Sequence, residues 1–136
     1  MGQGVIRDDH GRAIGITGDD GRFACRSCRR ADLVFDVRFL PNPYWVPELR
    51  PKTGLSSDVA SYVMAQAGAT EFIDRVEELL AGMAPGYLRE GKKQVTVAVG
   101  CTGGKHRSTA ISEELSARLA ARGHRTAVLH RDLGKE

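Results

Sequence analysis

The segment VTVAVGCTGGKHRST (95–109) constrains this chain more than any other. An apolar, β-branched run at 95–99 gives way to glycines, and the glycines to a helical pattern. A strand–turn–helix unit of this kind leaves several backbone N–H groups unpaired in one concavity, beside the positive end of a helix dipole. Gly100, Gly103 and Gly104 permit backbone conformations that side chains resist. Lys105, His106 and Arg107 add cationic donors, and Thr102, Ser108 and Thr109 add hydroxyls. Together they describe a phosphate or anion site. The plainer reading is a structural turn with solvated basic residues.

The flanking segments place that loop in an α/β domain. LVFDV (33–37) reads as a second buried strand. Residues 38–54 hold Pro41, Pro43, Pro47 and Pro51, which forbid a continuous helix or central strand. The expectation there is an extended loop with turns, held by its own apolar side chains. Residues 58–67 and 70–83 read as helices broken near Gly68, with Phe72, Val76, Leu79, Leu80 and Met83 on one face of the second. Pro85–Gly86 and Glu90–Gly91 punctuate the stretch between that helix and the strand at 95–99. A helix over 108–122 carries Ile111, Leu115 and Leu119 at i, i+4 and i+8, with Gly123 as its cap. TAVLH (126–130) is expected as a last strand.

This order predicts a right-handed βαβ unit in one three-layer α/β domain, with a parallel or mixed sheet and its ligand loop at the strand C-termini. Residues 1–31, rich in glycine and aspartate, show no sustained period. They read as an irregular or poorly ordered segment before a domain at 32–136, although one further strand of the sheet has room to come from them.

Composition removes several classes of protein. A chain of 136 residues, 41% hydrophobic and 27% charged, buries a core of ordinary size and is not wholly disordered. No apolar run reaches the ~18–20 residues of a membrane span, and the N-terminus lacks an apolar signal stretch. The expectation is a cytoplasmic protein with no membrane partner. A net charge of +3 is mild, so the placement of charge matters more than its sum. Cys25, Cys28 and Cys101 are an odd set that reads as reduced thiols. Cys25-x-x-Cys28 lacks a second pair of zinc ligands, and no metal or other cofactor is expected.

Two enzyme templates compete for the glycine loop. A Walker A motif fails, since Gly100 and Gly104 lie one residue too close and His106 stands where Ser or Thr belongs. Cys-x5-Arg-Ser, the phosphate loop of cysteine-dependent phosphatases, is met by Cys101, Arg107 and Ser108, with Cys101 as nucleophile and Arg107 as clamp. That chemistry needs a general acid, for which Asp36, Asp58 and Asp132 are the candidates. Asp36 and Arg38 close their own strand and would stand near the loop if the two strands run side by side. The alternative is an internal Asp–Arg pair. His130 and Arg131 offer further cations at the same edge. Tyr44 and Trp45 have the chemistry to stack on a base, but packing of their loop onto the core is the favoured reading.

DLVFDVRFLPNPYWVPELRPKTG (32–54), VTVAVGCTGGKHRST (95–109) and the closing HRDL (130–133) resemble the C-terminal domain of RapZ, the RNase adapter family. The resemblance runs from about Ala31 to the end of the chain. It implies a non-catalytic domain that binds a phosphorylated amino sugar such as glucosamine-6-phosphate. It also implies binding of a small regulatory RNA and its presentation to an endoribonuclease. The implied ligand pocket takes Asp36, Arg38 and Asn42, closed by Thr102, Gly103, Gly104, Lys105, His106, Arg107 and Ser108. RNA contacts would draw on Lys105, His106, Arg107, His130 and Arg131. Three departures accompany the likeness: the family's P-loop motif is not found in this sequence, so ATP or GTP binding is not expected of it; Tyr44 replaces a histidine common in enterobacterial members; and residues 1–31 are not recognised as the family's. A third reading, an oligomerisation or scaffold domain, keeps a homo-oligomer open.

Overall fold

The computed structural model describes the backbone of residues 3–7 and 13–17, and residues 31–92, 94–102 and 105–130 in full. Among the described residues the architecture is α/β, with one parallel strand pair and three α-helices, an arrangement compatible with three layers. Strand β3 (Leu33–Asp36) pairs in parallel with β4 (Val97–Gly100), Leu33 opposite Val97 and Asp36 opposite Gly100. Both strands therefore end at the same edge. Residues 1–31 contain an antiparallel hairpin of β1 (Gln3–Arg7) and β2 (Ala13–Thr17), where the sequence suggested irregular chain. The hairpin is a separate two-stranded sheet and lends no strand to β3 and β4.

Helix α1 (Ser57–Met64) is followed by α2 (Ala69–Arg89), and the two break at Gly68, whose φ of 90° is the left-handed conformation only glycine adopts freely. Helix α3 (Arg107–Ala121) leaves the glycine loop directly and ends at Gly123, φ 92°, as the sequence indicated. Val59 and Val63 of α1, Ile73, Val76 and Leu80 of α2, and Ile111, Leu115 and Leu119 of α3 meet Val97 and Val99 in one core.

Three local expectations are corrected. Helix α2 runs through Pro85 and Gly86 instead of ending before them. Pro85 is exposed in the last turns, so its missing N–H and its ring disturb only the end of the helix. The buried stripe of α2 keeps the expected Val76 and Leu80 but differs at two positions. Ile73 lies at its centre, whereas Leu79 is 47% exposed and Phe72 packs edge-on against Phe35 with ring centroids 5.6 Å apart. Finally, residues 126–130 form no strand. They lie along α3, where Ser116 Oγ donates to Thr126 Oγ1 at 2.8 Å and His130 Nε2 lies 2.7 Å from Glu113 Oε1. Side chains of a helix satisfy this segment, so the second parallel pairing of a βαβ unit is not made among the described residues.

Candidate anion-binding site

The parallel register brings the chemistry of two distant segments to one edge. Past Asp36, Val37 N–H donates to the Gly100 carbonyl at 2.8 Å, so the chain leaves β3 beside the start of the glycine loop. Asp36 takes a forked grip from Arg38: Nε donates to both carboxylate oxygens at 2.9 and 2.8 Å, and the Arg38 backbone N–H adds a third bond at 2.9 Å. The side-chain bond from Arg38 holds the Asp36 carboxyl below its usual 3.8, and the positive charge of Arg107 pulls the same way. Asp36 and Arg38 form the internal pair, and the side-by-side strands also set them near the loop.

Arg107 is 5% exposed and reaches back across the loop. Its Nη1 donates to the carbonyls of Arg38 (3.1 Å) and Leu40 (2.9 Å). A charged donor shared by two backbone acceptors pins the 38–40 turn to the first residue of α3. The Arg107 Nε is buried with no partner among the described residues, an N–H that asks for an acceptor.

His106 does the same work for the proline-rich segment. Its Nε2 lies 3.2 Å from the Arg50 carbonyl, so that nitrogen carries the proton and donates. Burial pushes the imidazole below its usual 6.5; the bond to Arg50 opposes this and the charge of Lys105 adds to it. The unfolded chain then takes up a proton near 6.5 and the folded chain only at lower pH. Stability is therefore full above 6.5 and falls as pH drops from 6.5 to the folded value. His106→Gln, which keeps a donor for Arg50, is expected to flatten that acid limb in urea unfolding between about pH 7.5 and about pH 5. Equal slopes in the two proteins would refute the assignment.

The remaining candidate residues divide between structural duties and the loop surface. Asn42 Oδ1 accepts Tyr44 N–H at 3.1 Å and caps the 3-10 turn Pro43–Trp45, a structural duty. Thr102 is exposed at the loop, and Lys105 is half-buried, its carbonyl accepting Gly54 N–H at 2.8 Å. Ser108 is buried against Cys101. His130 pairs with Glu113 on α3. Gly103, Gly104, Arg131, Asp132, Cys25 and Cys28 lie outside the described residues.

Cys101 is 1% exposed. Its sulfur accepts Ser108 N–H at 3.3 Å and its thiol donates to Ser108 Oγ at 3.2 Å. No side chain at His106 caps α3, so the sulfur takes up a helix N–H that would otherwise be orphaned. Of the general-acid candidates, Asp36 is held by Arg38 and Asp58 pairs with Lys52. A buried, capping thiol, with no acid poised among the described residues, gives the phosphatase reading no support.

Sequence reasoning missed Gly54. A Cβ placed there would come within 2.5 Å of both Ala110 N and His106 O, so this glycine lets the proline-rich loop lie against the first turn of α3. Its signal was the Lys52–Thr53–Gly54 end of that loop, which marks a turn without naming its neighbour.

The family model of the RapZ C-terminal domain matches residues 23–134. Over 106 residues the chain is 97% identical to a nucleotide-binding protein of Cutibacterium acnes and 69% identical to one of Streptomyces coelicolor, in each case 78% of this chain and 36% of the relative. A nucleotide-binding protein of Thermobifida fusca is 59% identical over the same share. The chain thus spans about a third of the length of these curated relatives. With its two long motifs, their spacing and the match across most of its length, the chain belongs to the RapZ C-terminal domain family.

Proposed function

We propose that this domain binds a phosphorylated amino sugar, of the glucosamine-6-phosphate kind, and couples that binding to recognition of RNA in the manner of a RapZ-type RNase adapter. One observation carries the reading: the ends of β3 and β4 gather Asp36, Arg38 and Arg107 beside the glycine loop, where the buried Arg107 Nε has no acceptor among the described residues. A phosphate oxygen supplies such an acceptor, and the N-terminus of α3 favours its charge. The carboxylate of Asp36 is partly exposed and accepts from sugar hydroxyls or an amine while Arg38 holds it in place. RNA phosphates would meet the same basic edge, with sequence read elsewhere. A ligand shared with RNA alters RNA binding by competing for this surface or by favouring one state of the loop. The cytoplasm is the compartment in which such partners meet.

Isothermal titration calorimetry of the chain with glucosamine-6-phosphate, glucosamine and inorganic phosphate tests this reading. Binding that needs both the sugar and the phosphate is expected. Cys101→Ser is expected to retain that affinity, since serine still accepts the Ser108 N–H. Absence of heat from folded protein with all three compounds would leave the metabolite half of the proposal without foundation.

A further inference from the structure

The sequence favoured packing of Tyr44 and Trp45 onto the core, and the structure turns both outward. Trp45 is 73% exposed and Tyr44 46% exposed. Their rings meet edge to face, with centroids 5.2 Å apart and planes at 86°. The pair is held from three sides. Buried Pro43 anchors the 3-10 turn, and Asn42 caps it. Arg50 donates from Nε to the Tyr44 carbonyl at 2.7 Å, and its guanidinium lies 4.7 Å from the Tyr44 ring centre. No carboxylate pairs with Arg50 among the described residues, so its charge stays available. The Arg50 carbonyl in turn is the group His106 holds, so this aromatic corner hangs directly on the candidate anion loop.

We propose that Trp45, with Tyr44 and Arg50, is a stacking platform for an unpaired nucleobase of single-stranded RNA. This rests on the RNA half of the function proposed above and adds the part of the RNA that is recognised. A rigid, exposed indole offers its π-face to any base that is free of a duplex. Tyr44 meets the indole at 86° and has Arg50 over its own ring, so the more exposed Trp45 is the ring left to stack. Arg50 places a cation over the Tyr44 ring of the same corner, where the phosphate attached to a stacked base needs a partner. An apolar protein partner would find a poor rim here, because polar Asn42 and charged Arg50 hold the pair. Bases within a duplex stack on one another and present only their edges, so the platform selects unpaired segments.

Trp45 is the sole tryptophan of the sequence, and its emission reports the platform alone. The whole chain is titrated with a short oligoadenylate, free or annealed to oligouridylate, while fluorescence anisotropy of the labelled oligonucleotide follows binding. Saturable quenching by the single strand, and little by the duplex, is expected. Trp45→Ala is expected to weaken single-strand binding roughly 5- to 100-fold, and Trp45→Phe to restore most of it. Glucosamine-6-phosphate affinity, read by calorimetry, is expected to stay the same in both variants. Equal affinity of Trp45→Ala and the parent for the oligoadenylate, or equal quenching by strand and duplex, overturns the platform and leaves RNA binding standing. Failure of every oligonucleotide to bind, with phosphosugar binding intact, removes the platform and the RNA half together.

Discussion

Gly54→Ala is expected to lower stability by about 3 kcal/mol and the melting temperature by roughly 10 °C. The added methyl would sit 2.5 Å from Ala110 N, 2.5 Å from His106 O and 2.8 Å from Thr109 Cβ. Two of these three are backbone atoms in the first turn of α3, which cannot swing aside as a side-chain tip does. Relief requires the loop to withdraw, and withdrawal strains the bond from Gly54 N–H to the Lys105 carbonyl and the grip of His106 on Arg50. Gly82→Ala is the control. A Cβ at Gly82 meets nothing within 4 Å in the middle of α2, so that change is expected to stabilise by about 0.5–1 kcal/mol. Circular dichroism melts of the two variants decide the point. A Gly54→Ala melt within a degree or so of the parent would mean that the loop does not lie on α3 as described.

Arg107→Met is the second large effect. Methionine fills much of the volume but donates nothing, leaving the Arg38 and Leu40 carbonyls without their charged partner. Two stranded acceptors at this buried junction are expected to cost about 3 kcal/mol together. If Arg107 also meets the ligand, phosphosugar affinity falls at least roughly tenfold, the size expected for one lost charge-assisted hydrogen bond. The two consequences separate cleanly. Chemical denaturation measures the anchoring role, and calorimetry well below the transition measures the ligand role. Reduced stability with undiminished affinity would make Arg107 an anchor alone, leaving ligand charge to Lys105 and the helix N-terminus. Arg107→Lys sharpens the result, because a single ammonium keeps the charge but cannot reproduce the guanidinium fork.

Much of the fold was readable because its signals are local. The β-branched runs at 33–37 and 95–99 became β3 and β4, and Gly68 and Gly123 mark real helix boundaries. The missed hairpin and the run of α2 through Pro85 are local errors, and two others arose where a residue's neighbour lies on another element. TAVLH has strand composition, yet Ser116 and Glu113 on α3 take up Thr126 and His130, and no strand forms. Of the stripe read on α2, Val76 and Leu80 are buried and Phe72 packs on the core, while Leu79 faces out and Ile73 joins the core. Helical spacing alone allows either choice, and only the position of the partner element decides.

The candidate site divides the same way. A glycine-rich turn joining a buried strand to a helix, followed by Lys105, His106 and Arg107, was legible in the chain alone, because those constraints act between adjacent residues. Only the tertiary structure decided what each side chain does. His106 and Arg107 are turned inward onto the carbonyls of Arg50, Arg38 and Leu40, Asp36 is clasped by Arg38, and Trp45 faces out. The physical reason is the demand for hydrogen bonds at a buried junction. Backbone carbonyls of the 38–50 segment, sealed under α3, must be paired, and the nearest donors are the cations that the sequence offered to a ligand.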